Sequence, residues 1–95
     1  MSVQLIITFN VAAGKLPAFA QIMQQVKSSL PLVAGCQAVR MFNGMTDDHV
    51  FVLVETWDSA EAHRAHIANV IESGGWDQLR AHLECDPVSG YFAEY

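Results

Sequence analysis

Within the stretch from Val50 to His66 the sequence gathers a carboxylate at Glu55, an indole at Trp57 and imidazoles at His63 and His66. Imidazoles and carboxylates are the groups that exchange protons near neutral pH, so most of the polar chemistry open to this chain sits here. Trp76 and Tyr91 add a second indole and a phenol further along. His63 and His66 are three positions apart and share nearly one helix face, a spacing that would suit a pair of metal ligands. The sequence defines no third ligand beside them, and no metal site is expected.

Each of these residues also has a purely structural reading. His66 can pack as a polar side chain between helix and sheet, and Trp57 can be a core or interface aromatic. Glu55 lies inside a strand, where an unpaired carboxylate is costly to bury, so it would pair with Arg40 or Arg64. Trp76 follows Gly74-Gly75 and is either a hinged lid or a packing anchor, its spacing to Leu79 and Leu83 favouring the anchor. Tyr91 could face a pocket or an interface. Arg80 and His82 read as solvated.

The elements that must position these groups follow from periodicity. Val50 to Val54 is rich in β-branched residues and too short for a core helix, so it reads as a strand buried on both faces. Asp58 then acts as a helix N-cap, with Glu61 closing a capping box, and the helix runs to about residue 71. Earlier, Val3, Leu5, Ile7 and Phe9 alternate with Gln4, Ile6 and Thr8, the period of a strand with one apolar side. Gly14 breaks the chain and Pro17 opens a helix of about four turns, which stops where Leu30 precedes Pro31.

From Gly35 to Phe42 a second strand sets Cys36, Ala38, Arg40 and Phe42 on one face, and Asn43-Gly44 with Thr46-Asp47-Asp48 turns it into the Val50 strand. Trp76, Leu79 and Leu83 mark a short helix after the glycine pair, and Pro87 and Gly90 frame a last strand from Tyr91 to Tyr95.

The order strand, helix, strand, strand, helix, strand is the split βαβ, ferredoxin-like arrangement: α+β, with a four-stranded antiparallel sheet. Residues 1–95 are expected to form a single domain. Helices cover one side of such a sheet, yet the Val50 strand is apolar on both. The simplest cover for the bare side is a second copy, giving a homodimer in which two sheets close into a barrel.

Composition narrows the partners. The formal charge is -5, without a basic cluster, which argues against nucleic acid and anionic membrane surfaces. A hydrophobic fraction of 52% beside 16% charged residues again suggests surface covered by another subunit. No apolar run approaches the roughly 20 residues of a membrane span, the amino terminus lacks a basic leader, and a cytoplasmic location is expected. Cys36 and Cys85 form no CxxC pair and read as buried free thiols, on strands too far apart for an intrachain disulfide.

Three short motifs carry a family resemblance: Val11-Ala12-Ala13-Gly14-Lys15 leading into the first helix, Phe51-Val52-Leu53-Val54-Glu55-Thr56-Trp57 followed by a helix, and Ala65-His66 nine residues beyond the tryptophan. In these and in element order the chain resembles the antibiotic biosynthesis monooxygenase-like domains, which are dimeric α+β barrels. The resemblance implies oxidation of a small phenolic or quinol-type aromatic by molecular oxygen, in some members without metal, flavin or haem; no cofactor is expected. It implies a catalytic pair, His66 accepting the phenolic proton and Glu55 orienting a histidine or binding a hydroxyl. Trp57, with His63, Trp76 and Tyr91, would bind the substrate.

A haem-degrading branch of the family is a rival, with an asparagine in the first strand, a tryptophan on the second helix and a histidine about ten residues later. This chain departs at all three, holding Ile7, His66 and Trp76 there. A rival of another class is a non-enzymatic dimeric ligand-binding or stress-related domain on the same scaffold.

Overall fold

Alternating burial along the first strand shows how the sheet is built. In the computed structural model, which describes residues 2–95, β1 (Val3–Asn10) buries Leu5, Ile7 and Phe9 and leaves the residues between them half-exposed. Gly14, at φ +79°, turns the chain into α1 (Leu16–Ser29), with Pro17 in its first turn. Phe19 and Met23 are its buried face. A 3-10 turn at Leu30–Leu32 then absorbs Pro31. β2 (Cys36–Asn43) and β3 (Val50–Trp57) follow as a hairpin. The Asn43 side-chain amide donates to the carbonyls of Asp48 and Val50 to lock its turn.

α2 (Ala60–Glu72) and α3 (Gly75–Arg80) lead into β4 (Val88–Phe92). All strand pairs are antiparallel, in the order β2-β3-β1-β4. The chain thus has the α+β, ferredoxin-like architecture expected from its periodicity, with β1 and β3 at the centre. Among the described residues no helix is long and apolar enough to cross a membrane.

Several expectations need correction. The cap of α2 is Ser59, whose Oγ accepts from the Ala62 amide at 3.1 Å. Asp58 instead accepts from the Gln37 side-chain amide at 2.7 Å, so its carboxylate is engaged with β2 and the cap falls to the next hydroxyl. A bulge between Cys36 and Ala38 sets Cys36 opposite Trp57 and Ala38 opposite Thr56. Cys36 is therefore on the helix side, opposite to the side of Ala38, because one extra residue inverts a period of two.

The last strand is Val88–Phe92, with Gly90 paired to Ile6 inside it, and Tyr95 lies beyond. Both thiols are free, but Cys36 is only half-buried and Cys85 is exposed.

Burial in β3 is one-sided. Leu53, Glu55 and Trp57 are buried, whereas Val50, Val52 and Val54 are half-exposed. Register places Ile6, Val52, Val54, Phe42 and Phe92 on that same uncovered side. Phe42 and Phe92 are 46% and 52% exposed, large apolar surface with no cover from this chain.

The covered side holds two buried clusters. One joins Ile7, Phe9, Val11, Phe19, Met23, Leu53 and Leu83; the other is Leu5, Leu30 and Trp57.

Candidate functional site

A cavity of about 580 Å³ lies between the sheet and the helices. Its floor is Leu5, Ile7, Phe9, Leu53 and Glu55 from β1 and β3; one wall comes from α1 and the 3-10 turn, the other from α2 and α3. The lining is mostly apolar, and its ionisable members are Glu55, His63 and His66.

These three meet at Trp57. Glu55 and Trp57 are two apart on one strand and point to the same face, so the indole can reach the carboxylate. Nε1–H of Trp57 donates to Glu55 Oε1 at 2.9 Å. The indole is fully buried, with the His63 ring edge-on at 5.3 Å and the His66 ring tilted 31° at 5.4 Å between centroids. His63 and His66 occupy the spacing that brings two side chains of α2 to one face over the sheet.

Trp57 is thus the support of the polar cluster and stands behind the cavity lining, not in it. Gly35 closes this end: at φ +88° it lies so near α2 that a Cβ there would sit 2.7 Å from the Ala62 Cβ. The helix approaches the sheet where the tryptophan fills the gap and stands off where the cavity begins.

Burial pushes the Glu55 carboxyl above its ordinary 4.5, with the Trp57 hydrogen bond pulling the other way. Its expected partners Arg40 and Arg64 are elsewhere. Arg40 lies over the Phe42 ring on the uncovered side, and Arg64 lies over Tyr91 with Glu61 at 3.7 Å. A neutral indole donor satisfies the carboxylate without a buried cation.

Burial also pulls both imidazoles below 6.5; for His63 the charges of His66 and Arg64 add to the effect. Both rings are therefore mainly uncharged at neutral pH. His63, 8% exposed, has Nδ1 at 2.7 Å from the Tyr91 hydroxyl, which anchors α2 to β4. Nothing in the chain hydrogen-bonds the His66 ring within the described residues, so its nitrogens are open to a ligand. The Cys36 thiol is pushed up by burial and by the Glu55 charge, which keeps it protonated and a poor nucleophile.

Of the expected site residues, Glu55, His63, His66 and Trp76 line the cavity, while Trp57 and Tyr91 stand behind Glu55 and the histidines. Trp76 both packs against the Phe19 cluster and lines the cavity. Ser29 and Ser89 also line it, and neither stood out in the sequence. Ser29 follows Val26 by one helical turn, a usable signal; Ser89 depends on the β1–β4 register, which composition does not reveal.

Among the described residues, metal-like ligand atoms gather at Asp47, Asp48 and His49 in the exposed β2–β3 turn, outside the cavity. Arg80 clamps the chain before β4 through Asp86 at 2.7 Å, and His82 bonds the Gln78 carbonyl at 2.8 Å.

A family model described as antibiotic biosynthesis monooxygenase matches residues 2–70. Among solved structures, that of an antibiotic biosynthesis monooxygenase superposes with a TM-score of 0.87 at 16% identity, covering 98% of each chain. Rv0793 from Mycobacterium tuberculosis gives 0.86 at 16% identity, over 100% of this chain and 96% of that one. A variant of SnoaB, a cofactor-independent oxygenase from Streptomyces nogalater, gives 0.81 at 17% identity, over 98% and 92%. At these identities the likeness is one of fold. No curated protein matches the chain by sequence.

Proposed function

This chain belongs to the antibiotic biosynthesis monooxygenase family, and we propose that it oxidises a small phenolic or quinol-type aromatic with molecular oxygen, without a cofactor, in the cavity between sheet and helices. The observation that carries this reading is the grouping of Glu55, His63 and His66 around Trp57 in the lining of a mostly apolar chamber. Its size is that of sites for ring-bearing ligands.

His66 is the proton acceptor. Its ring is mainly uncharged at neutral pH, half-buried, and without a hydrogen-bond partner among the described residues. Removing a proton from a bound hydroxyanthrone leaves an electron-rich anion that can pass an electron to oxygen and then combine with the superoxide formed. The hydroperoxide loses water: one oxygen atom enters the ring system as a ketone where a CH2 stood, the other leaves as water, and the substrate supplies all four electrons.

Glu55, held by the Trp57 N–H and raised by burial, offers a carboxyl group to the substrate hydroxyl. His63, tied to Tyr91, is the fixed imidazole beside it.

Residues 1–95 act as one domain in this reading, and as a homodimer. The uncovered sheet side, with Val52, Val54, Phe42 and Phe92, suits the same side of a second copy. Free thiols suit the reducing cytoplasm in which we place it.

Oxygen uptake on a panel of quinols and hydroxyanthrones tests the activity. A folded protein that binds these compounds without consuming oxygen would leave a binding module instead. Sedimentation tests the dimer, and a stable monomer at micromolar concentration would overturn it.

A further inference from the structure

We infer that the cavity admits uncharged ring compounds and turns away their carboxylate- and phosphate-bearing counterparts. The inference rests on the proposed role of the cavity as a ligand site and adds the class of ligand it takes.

The polar groups that face the cavity can be taken element by element. β3 contributes Glu55, α2 contributes His63 and His66, α1 ends in Ser29, and β4 contributes Ser89. The rest of the lining is apolar, and it includes no lysine or arginine. The cation closest to the cluster in sequence is Arg64, but its guanidinium lies 5.2 Å from the Tyr91 ring centroid, with Glu61 at 3.7 Å, outside the lining. Lys27 lines a separate, smaller depression beside Phe42 and Asn43. The chain as a whole carries a formal charge of -5.

A ligand carboxylate entering this chamber would exchange water for apolar walls, two uncharged imidazoles and two hydroxyls, and would meet a like charge whenever Glu55 is ionised. An ion desolvated without a counter-ion is strongly disfavoured. A phenolic hydroxyl meets no such penalty, since it can donate to an imidazole nitrogen or to Glu55. Selection against the anion comes from what the cavity withholds, and it does not require any contact that the neutral ligand lacks.

The test is calorimetric titration of the full chain at pH 7.5 with 1-naphthol and with 1-naphthoate, which share a ring system and differ in charge. Naphthol is expected to bind at least about tenfold more tightly, a usual size for discrimination by one unfavourable contact. Glu55→Gln should narrow that gap by strengthening naphthoate binding.

Naphthoate binding as tightly as naphthol would overturn the inference and leave the monooxygenase reading intact. A gap that closes completely in a folded Glu55→Gln would also overturn it, because one carboxylate, and not the absence of a counter-ion, would then be the cause. Failure of both probes to bind would remove the cavity as a ligand site and both readings with it. Discrimination in this titration together with no oxygen uptake on the quinol and hydroxyanthrone panel would sink the oxygenase reading alone.

Discussion

The two buried clusters under the helices share β1 and β3 but are built on opposite rules. Around Phe19, the rings of Phe9 and Phe51 pack edge-on at 5.5 and 5.3 Å, and every buried member is apolar. Around Trp57, the same strand four residues beyond Leu53 holds an indole whose neighbours are a carboxylate and two imidazoles. Both clusters border the chamber: Ile7, Phe9, Met23 and Leu53 of the first line it with apolar surface, while the second sets a carboxylate and two imidazoles beside it. Apolar packing and polar groups are thereby divided along one strand: Leu53 belongs to the apolar cluster and Glu55 to the polar one, both on the same face.

Substitutions can break that division, beginning with the largest effect. Phe19→Ala should cost roughly 3–5 kcal/mol, the usual range for emptying a buried aromatic site, and do so equally at pH 5 and pH 8 in urea titrations. A pH-dependent loss would show that the clusters are not separate.

His66→Ala should lower turnover on the order of 100-fold, about 2.7 kcal/mol in the barrier, while unfolding changes by less than about 1 kcal/mol. Parallel losses in both would make the residue structural.

Trp57→Phe removes the N–H that serves Glu55 and should cost about 1–3 kcal/mol. The loss should be greater at pH 8 than at pH 5, because the ionised carboxylate depends most on that donor. Tyr91→Phe should cost about 0.5–1.5 kcal/mol and change the nitrogen chemical shifts of His63; an unchanged His63 spectrum would mean that the hydroxyl does not hold the ring.

The smallest effect is in the pH profile. His63 and His66 are held below 6.5, so their contribution to stability is complete above that value and fades as pH falls through their folded range. Glu55 is held above 4.5, so its contribution is complete below that value and fades as pH rises through its folded range. Glu55→Gln should flatten the decline on the rising side and leave the acid side to the histidines.

Much of this was legible in the sequence, for identifiable reasons. Period-two alternation in β1 and the apolar spacing of the first helix identify the elements and their apolar faces, so the element order and the ferredoxin-like architecture could be read directly. The grouping of Glu55, Trp57, His63 and His66 was legible because a strand and a helix joined by a short link keep near neighbours in sequence near in space.

What escaped depends on register. The bulge at Gln37 reversed the side of Cys36, and Gly90 concealed a strand that begins at Val88. The Tyr91–His63 bond needs that strand in place before it can be foreseen. For Trp57 the sequence left a core aromatic and a substrate wall both open, and its complete burial and its bond to Glu55 favour the first.

Gly35 has a practical meaning for redesign. A side chain at this position would strain the backbone and push on Ala62, one residue before His63. The start of α2 is therefore indexed against the strand beneath it, and the histidines inherit that setting. Libraries meant to enlarge or reshape the chamber can vary the opposite wall, at Val26, Ser29 and Val33, where changes alter the volume offered to a ligand without resetting the height of the two imidazoles above the sheet.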